Sequence, residues 1–377
     1  MADEAVAASG GKKQVSGLEA FLTGKVGAAQ AKVKLNELVI FTRQLATMIS
    51  AGIPLLECLE ILAEQMENPG FKAVLEEVVY DVRGGTDLST AMQKHPRVFE
   101  DIYVNMIRAG EVSGQIDEIL IRLAEYQEAT AKLRAQIVSA MTYPVISIAL
   151  ILCIVLFLLL VIIPKFKEIF ENMGVTLPWI TQFLLNVADW MTTYWYIWAP
   201  GSIGFVVLTR VYSKTSMGRR QFHWLALNIP IFGPLFKKVA ISRFARTFAT
   251  LISSGVPILG ALEIVASTSG NVHIEELVSE ASESVRQGET LASPLAAKPK
   301  LFPPMVTRMI AIGEKSGALE ALLLKISEFY DQQVETSVEQ LTSLIEPIMI
   351  CFMGVLVGGM VLAIFLPIFE MQKALQQ

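Results

Sequence analysis

Arg43-Gln-Leu-Ala-Thr-Met-Ile-Ser-Ala-Gly-Ile-Pro54 returns 203 residues later as Arg246-Thr-Phe-Ala-Thr-Leu-Ile-Ser-Ser-Gly-Val-Pro257. Working outward, Gly110-Glu111-Val-Ser113-Gly114 returns as Gly313-Glu314-Lys-Ser316-Gly317, and an apolar run between Pro144 and Pro164 returns between Pro347 and Pro367. The offset is 203 at every landmark, so the chain is a duplication without insertion or deletion between these points. Each copy is a polar domain followed by a membrane span. The fold this predicts is an all-α membrane protein with two homologous cytoplasmic helical-bundle domains and three transmembrane helices.

The spans follow from charge. Val145–Ile163 and Ile348–Leu366 are each 19 residues without a charged side chain. At 1.5 Å per residue each makes roughly 28 Å of helix, close to the hydrocarbon thickness of a bilayer. A further 20 uncharged residues lie between Asp189 and Arg210, opening with Trp190, Tyr194, Trp195, Tyr196 and Trp198. Rings clustered there suit a membrane interface, and Pro200-Gly201 is tolerated where neighbouring groups satisfy the freed carbonyls. A buried hairpin of a soluble domain is the other reading of this stretch. Mean hydropathy is +0.50 and only 18% of residues are charged, in keeping with several spans.

Basic residues set the expected orientation. Lys132 and Arg134 precede the first span, and Arg210, Lys214, Arg219 and Arg220 follow the second; only Lys165 and Lys167 lie in the segment between them. Residues 1–142 and 211–345 are therefore expected in the cytoplasm and the C-terminus outside. Residues 1–34 have no continuous apolar core, so the first span is expected to be its own insertion signal. The expected order is a mobile tail (1–34), a first helical domain (35–143), a span (144–164), an outer segment (165–189), a second span (190–209), a membrane-proximal cytoplasmic segment (210–243), a second helical domain (244–346), a third span (347–367) and an outer C-terminus (368–377). Val15, Leu18, Leu22 and Val26 fall at helical spacing in the tail. The outer segment reads as an elbow and then an amphipathic helix from Pro178.

Within the first domain, helices are expected near 36–50, 54–66, 71–83, 87–94 and 101–112, with a long one from about 115. Gly52-Ile53-Pro54, Asn68-Pro69-Gly70 and Gly84-Gly85 punctuate them. The long helix is expected to run into the membrane, kinked at Pro144, and residues 319–346 to do the same before Pro347. In 213–243, Arg219, Arg220, Lys237 and Lys238 are interleaved with Phe222, Trp224, Phe232 and Phe236. That pattern suits lipid headgroups, or else a partner.

Several chemistries are missing. No Gly-x-x-x-x-Gly-Lys-[Ser/Thr] loop and no Gly-x-Ser-x-Gly elbow occurs. His95, His223 and His273 are isolated from other ligand types at metal spacing, and the spans carry no Asp, Glu, Lys, Arg or His. Cys153 and Cys351 fall in spans and Cys58 in an apolar stripe, so buried reduced thiols are expected. A net charge of −5 gives no sign of nucleic-acid binding. No catalytic, cofactor or metal site is expected; a small repeat-built transporter, the distant alternative, is disfavoured by the uncharged spans.

The residues singled out are the repeated ones: Arg43, Gly52, Pro54, Gly110, Glu111, Ser113 and Gly114, with Arg246, Gly255, Pro257, Gly313, Glu314, Ser316 and Gly317, and the membrane-entry prolines Pro144, Pro164, Pro347 and Pro367. Gly114 and Gly317 can take the left-handed conformation that ends a helix, and Ser113 or Ser316 can accept amide hydrogens at the next helix start. Glu111 and Glu314 sit at helix C-termini, where the dipole opposes a carboxylate. Either each braces a tight corner, by capping a neighbouring backbone or pairing with an arginine, or it contacts a partner. Glu111 with Arg43 and Glu314 with Arg246 are the expected pairs.

The twice-occurring Ser-x-Gly-x-Pro-Leu/Ile and Gly-Glu-x-Ser-Gly motifs, each ahead of a Pro-bounded span, resemble the type II secretion F domain. That family comprises the inner-membrane platform proteins of type IV pilus and type II secretion machines, and the resemblance covers roughly residues 36–370. It implies helical cytoplasmic domains that tend to dimerise. It also implies binding of a cytoplasmic hexameric assembly or retraction ATPase, passage of its motion to pilin subunits entering and leaving the filament, and neighbouring inner-membrane alignment proteins. Pilus and secretion machine both stand open at this point.

Overall fold

A computed structural model describes residues 32–162, 164–165, 179–230 and 232–375. The tail positions Val15 to Val26, the elbow after Lys165 and Pro178 lie outside the described residues. By internal packing the chain divides into two compact units: Met1–Ala131 with Arg246–Thr268, and Lys132–Ala245 with Ser269–Gln377.

The first unit holds α1 (Leu35–Ser50), α2 (Leu55–Gln65), α3 (Pro69–Arg83), α4 (Leu88–Gln93), α5 (Asp101–Ser113) and the start of α6 (Ile116–Phe157). Each expected boundary falls within two residues, because the breakers act locally. Asn68 Oδ1 accepts from the amides of Gly70 and Phe71 at 3.0 and 3.3 Å, capping α3, and Pro69 fills the first helical position, where an N–H would be orphaned anyway. Inside, Phe41, Phe71, Phe99 and Tyr103 form a fully buried aromatic cluster with centroids 5.1–6.5 Å apart. Burial of each ring is worth about 1.5–3 kcal/mol. The Tyr103 hydroxyl reaches Thr42 Oγ1 at 3.2 Å, and Thr42 donates to the Leu38 carbonyl. Burial pushes the Tyr103 phenol well above its ordinary pKa, so it stays neutral. The end of α10 (Gly233–Ser253) and α11 (Ile258–Thr268) also group here, with Tyr126 Oη 3.2 Å from Thr247 Oγ1 and α11 against α5.

The second unit holds the rest of α6, α7 (Trp179–Thr193), α8 (Trp195–Tyr212), α9 (Ser216–Asn228), the first part of α10, α12 (Val272–Arg286), α13 (Ala292–Ala296), α14 (Pro304–Ser316) and α15 (Leu319–Leu375). Among the described residues, two helices are long and apolar enough to cross a membrane: Ile116–Ile162 and Leu319–Ala363. Their apolar side chains lie outward, among them Ile146, Leu150, Phe157, Ile350, Val355 and Phe365, as lipid contact requires. Cys153 and Cys351 are also exposed on these helices, contrary to the expected burial, whereas Cys58 is buried; all three are free thiols. Toward the far ends of the spans, Leu159, Leu185, Ala188 and Met360 pack together and Thr181 Oγ1 donates to the Ala363 carbonyl at 2.7 Å, tying α7 to both.

The four entry prolines behave differently from one another. Pro144 and Pro347 lie inside unbroken helix. Before Pro164 the helix widens into a π turn, Leu158–Ile162. A proline ring crowds the carbonyl four residues back, and a switch to i→i+5 bonding relieves it. At Pro367, where the third span is expected to end, the helix itself does not end: α15 continues to Leu375. The stretch expected as the second span, 190–209, takes in the end of α7, Tyr194 and most of α8; α8 has 18 residues with no buried side chain, runs unbroken through Pro200 and Gly201, and is less apolar than the other two. The bent pair α9–α10 also has an apolar window, but it carries Arg219, Arg220, Lys237, Lys238, Arg243 and Arg246. Those charges exclude it as a lipid-embedded span.

Candidate functional site

The repeated corner forms where α5 meets α6 and where α14 meets α15. Gly114 and Gly317 end α5 and α14 with φ of 70° and 72°, a conformation that costs other residues. Gly110 and Gly313 are needed for closeness. A Cβ at Gly110 would lie 3.1 Å from Ile116 Cα and from Ile119 Cβ; at Gly313 it would lie 2.9 Å from Leu319 Cα. The glycines therefore let the long helix leave the bundle at close range.

The glutamates complete the brace. Glu111 accepts the Ser89 amide with both carboxylate oxygens, at 3.2 and 3.3 Å. Ser89 is in the first turn of α4, whose N-cap residue Asp87 offers no side-chain cap. Glu314 Oε1 accepts the Leu291 amide at 2.8 Å, at the start of α13, while Glu314 Oε2 is buried without a hydrogen-bond partner among the described residues. Each carboxylate thus points from the C-terminus of its own helix to the orphan amides of another, where negative charge is favoured. The backbone-capping role is the one that forms. Ser316 Oγ accepts the Ala318 amide at 3.4 Å, as expected, but Ser113 Oγ donates back to the Gly110 carbonyl at 3.3 Å.

Arg43 does not pair with Glu111. Its guanidinium makes a two-pronged bond to Glu128 on α6, 2.6 Å for each contact. The hydrogen bond from Arg43 holds the Glu128 carboxyl below its usual pKa and raises that of Arg43. Glu128 lies 85 residues from Arg43 and outside the repeated motifs; its counterpart 203 residues on, Asp331, accepts from the Ser242 hydroxyl. Arg246 is half-buried on α10 in the first unit and Glu314 is in the second; that expected pair stays an expectation.

A model of the family described as type II secretion system protein F matches residues 41–164 and again 244–367. The two matched stretches begin and end 203 residues apart, the offset of the repeat. The chain belongs to this family. It is 43% identical over 345 residues to the type IV pilus assembly protein PilC of Myxococcus xanthus, covering 91% of this chain and 82% of the relative. It is 44% identical over 359 residues to PilC of Thermus thermophilus, covering 95% and 88%. It is 35% identical over 345 residues to type II secretion system protein F of Vibrio cholerae, covering 92% and 85%.

In this F-family chain the second motif, Ser-x-Gly-x-Pro, is a helix stop of one design in both copies. Gly52 and Gly255 have φ of 85° and 79°, and Ile53 and Val256 send their amides back to the carbonyls of Met48 and Leu251 at 3.1 Å. Pro54 and Pro257 then lead into α2 and α11.

Ahead of the second domain lies a clamp that no sequence motif announces. Arg219 and Arg220 of α9 bond Glu275 and Glu276 of α12 at 3.1 and 3.3 Å. His223 Nδ1 accepts the Val272 amide at 3.0 Å, and the His273 ring reaches the Arg220 carbonyl at 3.3 Å. Burial, then the charge of Arg219, hold His223 below its ordinary pKa, as an accepting imidazole requires. Two of the basic residues expected at headgroups are thus turned to glutamates. Lys238 is turned inward too, to Gln333 and Ser337 at 3.2 and 2.8 Å.

Proposed function

We propose that this chain is the inner-membrane platform of a type IV pilus assembly machine, a lever without a catalytic group between a cytoplasmic hexameric ATPase and pilin subunits. Identity favours the pilus machine: 36–44% to relatives named for pilus or fimbrial assembly, against 32–35% to those named type II secretion system protein F. Helix continuity supports the lever. α15 has 57 residues without a break, about 85 Å of rod at 1.5 Å per residue. A push or twist on its cytoplasmic end reaches the membrane without passing a flexible linker.

The topology that goes with this reading has three spans, α8 being the second, with the N-terminus cytoplasmic and residues 368–377 periplasmic. The outward apolar surface of α8 supports a crossing there. Alignment proteins of the same machine and a second copy of this chain are the expected membrane neighbours. Co-purification of the full chain with candidate ATPases, repeated with 35–143 or 244–346 deleted, tests the lever. The full chain retains one ATPase and at least one deletion loses it; retention by both deletions overturns the reading. The secretion-machine reading is favoured instead if a deletion strain keeps its surface filaments and loses exported enzymes.

A further inference from the structure

A cavity of about 500 Å³ opens between α9, the start of α10 and the loop after α13. Its lining includes Arg220, Lys237, Lys298 and Lys300, four cations around the one carboxylate of Glu276, with Trp224 and His273 as rings and Leu227 and Pro299 adding apolar wall. Arg220 is already on Glu276, and Lys298 lies 3.4 Å from Glu280. Lys237 and Lys300 hold no carboxylate among the described residues. Unmatched positive charge beside apolar wall suits a ligand with an anionic head and an apolar body.

The depth of the cavity says where such a ligand comes from. Leu235, two residues before Lys237, is buried with Val334, Val338 and Leu341, and Ile137 and Ala140 pack on the same cluster. Ala140 precedes Val145, and Leu341 precedes Ile348, by 5 and 7 residues. Those are the residues that follow the entry prolines Pro144 and Pro347. At 1.5 Å per residue Ala140 and Leu341 lie roughly 7–10 Å below the hydrocarbon edge and Val338 and Val334 roughly 15–21 Å, so the top of the cluster reaches the underside of the headgroup layer. Trp224 and Phe236 are largely exposed beside it, as residues at an interface are.

We propose that this cavity binds the phosphate of an anionic phospholipid, held by Lys237 and Lys300, with Trp224 and Leu227 against the glycerol and upper chain. The bound lipid fastens the second cytoplasmic domain to the inner leaflet. It rests on α6 and α15 crossing the membrane and is independent of which machine the protein serves.

The test is titration of full-length protein in neutral detergent with short-chain phosphatidylglycerol, read by melting temperature and by native mass spectrometry of retained lipid. Wild type is expected to show saturable stabilisation and one retained lipid, absent with phosphatidylcholine. K237Q/K300Q, and separately K300E on the exposed loop, are expected to melt like wild type without lipid and to need about tenfold or more lipid for half-saturation. An equal response of wild type and K300E to phosphatidylglycerol overturns the proposal, as does an equal response to phosphatidylcholine. Saturation by inorganic phosphate alone assigns the cavity to a soluble phosphate ligand, and displacement of lipid only by an acidic peptide assigns it to a protein partner; either result also overturns it.

Discussion

Phe41, Phe71, Phe99 and Tyr103 fill the core of the first copy, whereas the positions 203 residues on hold Phe244, Ile274, Phe302 and Val306. Phe244 and Phe302 keep their contact, edge to face at 5.0 Å. The Thr42–Tyr103 hydroxyl pair is replaced by Ala245 and Val306, both fully buried. Replacing both partners of a buried hydrogen bond leaves no orphan, which is why the exchange is tolerated as a pair and not singly. A similar exchange occurs at the start of the third helix of each copy. Asn68 and Asn271 both cap, but Pro69 has no N–H to satisfy where Val272 has one, and His223 accepts it. The two domains keep the corner and the caps and vary the fillings.

The largest expected effect lies at the corner glycines. Gly313→Ala places a Cβ against backbone and is expected to destabilise the full-length protein by about 3 kcal/mol, and Gly110→Ala, with slightly more room, by about 1–2. Thermal unfolding in detergent checks both, and equal small losses would show that the helices part freely there. Next, Tyr103→Phe costs about 1 kcal/mol, because Thr42 keeps the Leu38 carbonyl as its acceptor. Thr42→Ala should then cost less in the Tyr103→Phe background than in wild type; strict additivity in a double-mutant cycle would break the pairing. His223→Ala is expected to cost about 1 kcal/mol, and Val272→Pro, which removes the orphan N–H, should restore it. Absence of rescue would mean that His223 acts through something other than the cap.

The smallest effect is on pH dependence. Glu128 is depressed in the folded state, so its contribution is present above the ordinary carboxylate pKa, about 4.3, and is lost as pH falls through the folded value. Both partners are more than a third exposed, so the effect stays below about 1 kcal/mol. Glu128→Gln should flatten acid sensitivity in that window; an unchanged acid limb would leave the bridge without weight. His223 has the same sign in a different window, since protonation turns Nδ1 into a donor and ends the cap. Stability from this group is present above about pH 6.5 and is lost as pH falls below it.

Much of the fold was legible because its punctuation is local. Asn68-Pro69-Gly70, Gly84-Gly85 and the Ser-x-Gly-x-Pro stops set helix ends through backbone preferences that need no tertiary context. That α15 runs on past Pro367 was not legible, because a proline's cost depends on whether neighbouring groups absorb the freed carbonyl. The Arg43–Glu128 pair and the His223 cap were not legible, since each joins residues 49 or more apart in the sequence. The role of Glu111 became clear only once Ser89 was seen beside it.

The central claim is that Gly-Glu-x-Ser-Gly is a brace that makes each long helix rigid with its bundle, and not a binding surface. Thermal unfolding of the full-length Glu111→Ala/Glu314→Ala protein, compared with the filament count of cells carrying it, tests this most directly. The account predicts a loss of stability of about 1–2 kcal/mol per site, with filaments lost only in step with folded protein. Unchanged melting with filaments abolished would contradict it.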